Sequence, residues 1–96
     1  MAKYELTEAA DHDLNDIYIY SYREFGEAKA DAYFRSLEDC FERLAEFPDI
    51  GRSIEHIRPD YFRFPHASHT VYFMKVTGGI RIVRVLHQRM DPERHV

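Results

Sequence analysis

The residues able to do chemistry in this 96-residue chain gather in its second half. Arg58, Arg63, Arg81 and Arg84 carry charge suited to phosphate, and His87, closing an apolar run, could give or take a proton near neutral pH. Cleavage of RNA would need such a set: cations for the crowded phosphate, and acid–base groups for the attacking 2′-hydroxyl and the leaving oxygen. Lysine is scarce, however, with only Lys75 in the last fifty residues, and a lone histidine at a strand end is more often a capping group than a catalyst. His66 and His69 form an H-x-x-H pair, with His56 and His87 elsewhere in the chain. That spacing suits one face of a helix, whereas these two fall in a turn leading into a strand, with no carboxylate or cysteine ligand beside them. No metal site and no cofactor are expected. Ser68 and Thr70 are the only hydroxyls near Arg84 and His87, and no acid is placed to orient either as a nucleophile. Cys40 lies on an apolar helical stripe and reads as core. No catalytic residue is assigned.

The elements that must position these residues follow from periodicity. Lys3 to Leu6 is a short strand, and Thr7 is a helix cap with Glu8, Asp11 and Asp13 where the positive end of the helix dipole favours acids. Leu14, Ile17, Tyr18, Ser21 and Phe25 recur at helical spacing up to Gly26. Tyr33, Leu37, Cys40, Phe41, Leu44 and Phe47 form a second helical stripe that Pro48 ends. So short a connection folds the two helices back as an antiparallel hairpin. Past the turn at Pro48–Gly51 the period changes to two. Arg58 to Pro65, Thr70 to Val76 and Ile80 to His87 read as strands, the last two joined through Gly78-Gly79. The tail from Gln88 to Val96 is polar and reads as a short turn or helix. The expected fold is α+β, a single domain over residues 1–96: an N-terminal strand, then a helical hairpin packed on a mainly antiparallel sheet of three C-terminal strands.

With Gly78 and Gly79 as the loop, Tyr72, Met74, Val83 and Val85 share one sheet face, and Val71, Phe73, Ile82, Arg84 and Leu86 the other. The first set is expected to pack on the helices. The second would then remain exposed and apolar, which suggests a partner.

Composition narrows the class of protein. No apolar run is long enough to span a bilayer, and Met1 to Glu5 does not resemble the start of a signal peptide, so no membrane association and a cytoplasmic location are expected. The net charge of −4 conceals a division: residues 1–50 carry 5 basic against 13 acidic side chains, residues 51–96 carry 8 against 4. A uniformly basic protein that tracks nucleic acid is excluded, and no direct nucleic-acid binding is expected of this chain alone, although one face could be basic.

The order strand, helix, helix, strand, strand, strand, with its particular residues, resembles the ParE branch of the RelE/ParE toxins. Arg84-Val85-Leu86-His87 followed by Met90-Asp91 looks like that family's closing-strand signature. Ala10, Asp13-Leu14, Ile17, Tyr20, Gly26, Ala30, Tyr33 and Leu37 agree with its helices, Leu44 to Gly51 with its connection, and Arg58 with its lead into the strand pair. The resemblance implies the toxin of a type II toxin–antitoxin system, held inactive by a ParD-like antitoxin whose C-terminal segment wraps it. Val71, Phe73, Ile82, Arg84 and Leu86 are the expected antitoxin-binding residues. ParE-type members are not nucleases but poison DNA gyrase, so Arg58, Arg84, His87 and Arg89 are the expected target contacts. RelE-type members instead cleave messenger RNA on the ribosome. They are usually strongly basic and carry a tyrosine where His87-Gln88 stand here, which weighs against that alternative. A non-toxic relative that only binds antitoxin is the other alternative.

Overall fold

Thr7 is the residue at which this chain turns from strand to helix, and it anchors both. In a computed structural model, which describes residues 2–96, the first strand β1 spans Lys3–Leu6 and the helix α1 spans Glu8–Phe25. The Thr7 hydroxyl accepts from the Ala10 N–H at 3.1 Å and donates to the Val83 carbonyl at 2.9 Å, so the cap that starts α1 also ties it to the sheet. Gly26, at φ 88°, ends α1 and opens α2, Glu27–Glu46. A left-handed residue at this point costs glycine nothing, and it lets the helices turn back on each other with no loop between. The Tyr18 hydroxyl donates to Asp31 at 2.5 Å, which joins the two helices and pushes the phenol pKa up to about 12.

A 3-10 turn at Pro48–Ile50 leads to β2 (Arg52–Ser53), β3 (Tyr61–His66), β4 (His69–Val76) and β5 (Gly79–His87), and the chain closes with a short helix α3, Pro92–His95. The sheet has five strands in the order β1-β5-β4-β3-β2, antiparallel except that β1 runs parallel to β5. The expectation of an α+β chain with a helical hairpin on a mainly antiparallel sheet is met. The sheet is wider than three strands because β1 joins one edge and the two-residue β2 the other.

The two faces of the sheet are the reverse of the expected ones along β4 and at Ile82 and Val83, whereas Val85 packs on the helices and Leu86 lies away from them, as expected. Val71, Phe73, Ile80, Ile82 and Val85 pack against Leu14, Leu37, Phe41 and Leu44 of the helices and form the main core. Tyr72, Val83 and Leu86 lie on the far side with Ile54, beneath Ile57, Tyr61 and Val96. Val71, Phe73 and Ile82 are fully buried, so the surface assigned to them as an antitoxin face does not exist.

The reversal along β4 follows from which set is wholly apolar, and the hairpin differs from the expected one in two ways. The hairpin loop is Thr77-Gly78, not Gly78-Gly79, because Val76 pairs with Gly79. Gly79 instead makes room for a neighbour. A Cβ there would stand 1.7 Å from the Lys3 carbonyl oxygen, so only glycine lets β1 come alongside. The second difference is a bulge. Tyr72 pairs with Arg84 and Phe73 with Ile82, which leaves Val83 as the extra residue. The bulge resets the alternation, sending Val85 to the helices and Leu86 to the far side. The all-aliphatic and phenyl set then fills the dry core, where each such side chain contributes about 1.5–3 kcal/mol. Tyr72 and Arg81, with polar ends to satisfy, fall on the face covered only by a loop and the tail.

Candidate functional site

β1 accompanies β5 only from Gly79 to Ile82, so among the described residues no strand lies beside the outer edge of β5 beyond that point. The start of α1 takes the place of a strand. Asp13, in the second turn of α1, accepts from Arg84 Nε at 2.7 Å and Nη2 at 2.9 Å, and from the Val85 N–H at 3.0 Å. Its carboxylate therefore satisfies a main-chain donor of the sheet edge while gripping a guanidinium with both oxygens. The Asp13 bond holds the Arg84 pKa above its usual value. The third arm of the guanidinium, Nη1, donates to the His95 carbonyl at 2.9 Å. Arg84 thus joins α1, the sheet edge and the tail helix.

Past Asp13, α1 and β5 diverge and leave a groove of about 900 Å³. Ile17, Tyr20 and Phe25 line one wall, Val85 and His87 the other, and Tyr33 stands between them. Tyr20 and Phe25 are 62% and 60% exposed, a large apolar area to leave in water. Ser21, small and buried, also lines the groove.

Histidines close one end of this groove. His69 pairs with His87 across β4 and β5, their rings edge to face at 5.6 Å. Tyr33 shares a 2.7 Å hydrogen bond with His69 Nδ1, and Ser36 a 3.0 Å bond with His66 Nε2. Burial, reinforced by the neighbouring His87 and His66, lowers the His69 pKa to about 4, and burial lowers that of His66 too. His69 is thus a neutral bracing group at neutral pH. Among the described residues, no cluster of three or more histidine, cysteine, aspartate or glutamate side chains could hold a metal ion. Cys40 is buried on α2, and burial raises its thiol pKa, as befits a core residue.

Of the residues expected to bind a partner, Val71, Phe73 and Ile82 are core, Leu86 is buried under the tail, and Arg84 is half-buried in its pair with Asp13. Of the expected target contacts, His87 and Arg89 are exposed at the end of β5, where His87 Nδ1 accepts from the Arg89 N–H at 3.2 Å. Arg58 lies on the far face, donating to the Val96 carbonyl from Nε at 3.2 Å and Nη2 at 3.1 Å. Arg58 and Arg84 thus meet only through the tail they both hold. Asp13 and Tyr20 are the important residues not assigned to a site from sequence. Tyr20 carried one signal, an aromatic standing off the 14-17-18-21 stripe.

Residues 4–92 match the family of the ParE toxin of the type II toxin–antitoxin system, parDE. This chain belongs to the ParE toxin family. Among proteins similar to it, Toxin ParE1 of Mycobacterium tuberculosis is 40% identical over 97 residues, covering 99% of this chain and 98% of that protein. Toxin ParE1 of Caulobacter vibrioides is 38% identical over 96 residues, covering 100% and 99%, and Toxin ParE of Escherichia coli is 32% identical over 93 residues, covering 95% and 89%. In structure, a chain of the chromosomal ParDE toxin–antitoxin system from P. aeruginosa matches with a TM-score of 0.77 at 19% identity, over 91% of this chain and 96% of that one. The ParE fold therefore extends over nearly the whole chain. Among the described residues, no helix is long and apolar enough to cross a membrane.

Proposed function

We propose that this ParE-family toxin is neutralised by a ParD-like antitoxin whose C-terminal segment lies in the groove between α1 and the end of β5, and that when free it inhibits DNA gyrase in the cytoplasm. One observation carries the reading: an apolar groove flanked by exposed Tyr20 and Phe25 beside a β5 edge with no neighbouring strand. An amphipathic helix fits the apolar wall, and an extended stretch could pair with the main chain of the edge, both recurrent ways of receiving a peptide. Ordering such a segment costs several kcal/mol, so it must cover a surface of this extent. Against nucleolytic action stand the pairing of Arg84 with Asp13 and the engagement of His69 by Tyr33, which leave neither free for an RNA phosphate.

The test is a supercoiling assay with purified gyrase, in the presence and absence of the protein encoded beside this chain's gene, alongside a cleavage assay on ribosome-bound message. Inhibited supercoiling, relieved by the neighbouring protein, with message left intact is the expected result. Cut message with untouched gyrase would overturn the target. A Tyr20→Asp, Phe25→Asp double variant that still folds and still binds the neighbouring protein with full affinity would overturn the groove.

A further inference from the structure

We infer that the far face of the sheet, at its β2–β3 edge, is a binding surface for the phosphodiester backbone of a nucleic acid, with Arg52 and Arg63 as its contacts and Arg58 beside them. Arg52 and Arg63 are register partners across β2 and β3, which places their side chains next to each other on one face. That face is the one away from the helices, because Phe62 and Phe64, on either side of Arg63, point into the main core. Both arginines are exposed, and among the described residues neither has a carboxylate partner in an ion pair or a hydrogen bond. Like charges directly opposite each other on a sheet oppose folding. Each of the other sheet arginines is held: Arg81 by Glu5 at 2.9 Å and Arg84 by Asp13. Among the described residues, the Arg52–Arg63 pair sets cation against cation with no carboxylate within 4.0 Å of either.

Arg58 extends the patch. Its guanidinium sits 5.8 Å from the centre of the Tyr61 ring and donates to the Val96 main-chain oxygen. Guanidinium groups in a row match phosphate oxygens by paired hydrogen bonds better than they match an isolated charge. The wider charge distribution orients the approach: residues 1–50, which include both helices, carry a formal −8, and residues 51–96 carry +4. A polyanion is repelled by the helical layer and drawn to the sheet. Tyr72, the next residue in the Arg52–Arg63 row, is 3% exposed and offers no ring for base stacking. The surface is suited to backbone and not to sequence. It lies on the opposite side of the sheet from the helical hairpin and stands whether or not gyrase is the target. It departs from the expectation, drawn from overall charge, that the chain alone would not touch nucleic acid.

The experiment is fluorescence anisotropy with labelled 20-mers of single-stranded DNA, duplex DNA and RNA, at low and moderate salt, using the full chain. Binding that weakens with salt is expected, as is at least a tenfold loss in the Arg52→Gln, Arg63→Gln double variant, with the slope of log affinity against log salt falling by about 2. The arms separate DNA from RNA as the source of the backbone. Neither arginine is buried, and removing the opposed charges should leave the melting temperature unchanged or higher, so loss of binding in the variant cannot be unfolding. An Arg35→Gln variant, altering an exposed cation on α2, should bind as the parent does. No binding by the parent, equal loss in Arg35→Gln, or full competition by polyglutamate would each overturn the inference.

Discussion

Asp13 and Arg84 are 71 residues apart in sequence, yet the carboxylate of the first closes on the guanidinium of the second through bonds of 2.7 and 2.9 Å. The same carboxylate accepts the Val85 N–H, so the pair is both an ion pair and the termination of a sheet edge. With the Asp13 side chain 13% exposed, water replaces neither role well. Asp13→Ala is expected to cost about 2–3 kcal/mol, the range for hydrogen bonds to charged groups with a buried donor left unmet. Asp13→Asn, which can still accept from Val85, should cost less. Urea denaturation of the three proteins checks this, and an alanine variant as stable as the parent would show the pair to be ornamental.

Gly79 makes a sharper case. Gly79→Ala puts a methyl group into the Lys3 main chain, so β1 must move away and its pairing with Ile80–Ile82 loosen. A loss of about 3 kcal/mol is expected, at the upper end for overpacking. Gly78→Asn, at φ 83° with open space around it, should cost much less, since asparagine tolerates the left-handed region. If the two substitutions cost the same in thermal melts, the close approach of β1 is not what selects glycine at 79.

Acid should weaken the fold through His69. Its pKa falls from the usual 6.5 to about 4 on folding, so between those values the unfolded chain takes up a proton that the folded chain refuses. The contribution is fully present above pH 6.5 and is lost as the pH falls towards 4. His66, lowered by burial, acts in the same direction. Urea midpoints measured from about pH 7.5 down to about 4.5 should decline, and decline less steeply in His69→Gln. A parallel decline in both proteins would assign the acid sensitivity to other groups.

Tyr20 and Phe73 separate surface from core. Phe73→Ala removes a fully buried ring and should cost about 3–5 kcal/mol. Tyr20→Ala, at a residue 62% exposed, should change stability by less than about 0.5 kcal/mol. On the proposed reading of the groove it should nonetheless weaken antitoxin binding by about 2 kcal/mol, as central aromatic contacts do. Calorimetric titration of the folded variant against the antitoxin gives the answer, and undiminished affinity would remove Tyr20 from the interface.

The helical hairpin was legible because its signals are local. The Thr7 cap, the stripes through Leu14 and Leu37, and Gly26 between them all act within a turn or two of their own position. The sheet faces were not, because alternation along a strand does not say which face meets the helices, and one inserted residue changes it part-way along. Alternation groups Val71 with Phe73 but leaves open which face meets the helices, and the bulge at Val83 moves Val85 and Leu86 to the opposite faces from those a regular ladder gives them. The groove was hidden for the same reason. Its wall on α1 is written in the helix, but its opposite wall exists only once Val85 and His87 have been placed, and Asp13 offered no periodic sign that its partner was Arg84. Of the residues named for a function, His87 and Arg89 lie exposed at the end of β5, whereas Phe73 and Ile82 are buried in the core.

The parallel pairing of β1 with β5 also sets an order of events during synthesis. Glu5 meets Arg81 only across 76 residues of chain, so the first strand emerges long before its neighbour exists. The two helices, whose contacts are short-range, can assemble while the ribosome is still working, but their apolar face has no sheet to lie on until the last strands arrive. A growing chain of this kind carries an uncovered half-core for most of its translation, and both the finished groove and the Asp13–Arg84 clasp come into being only after residue 85 has been added.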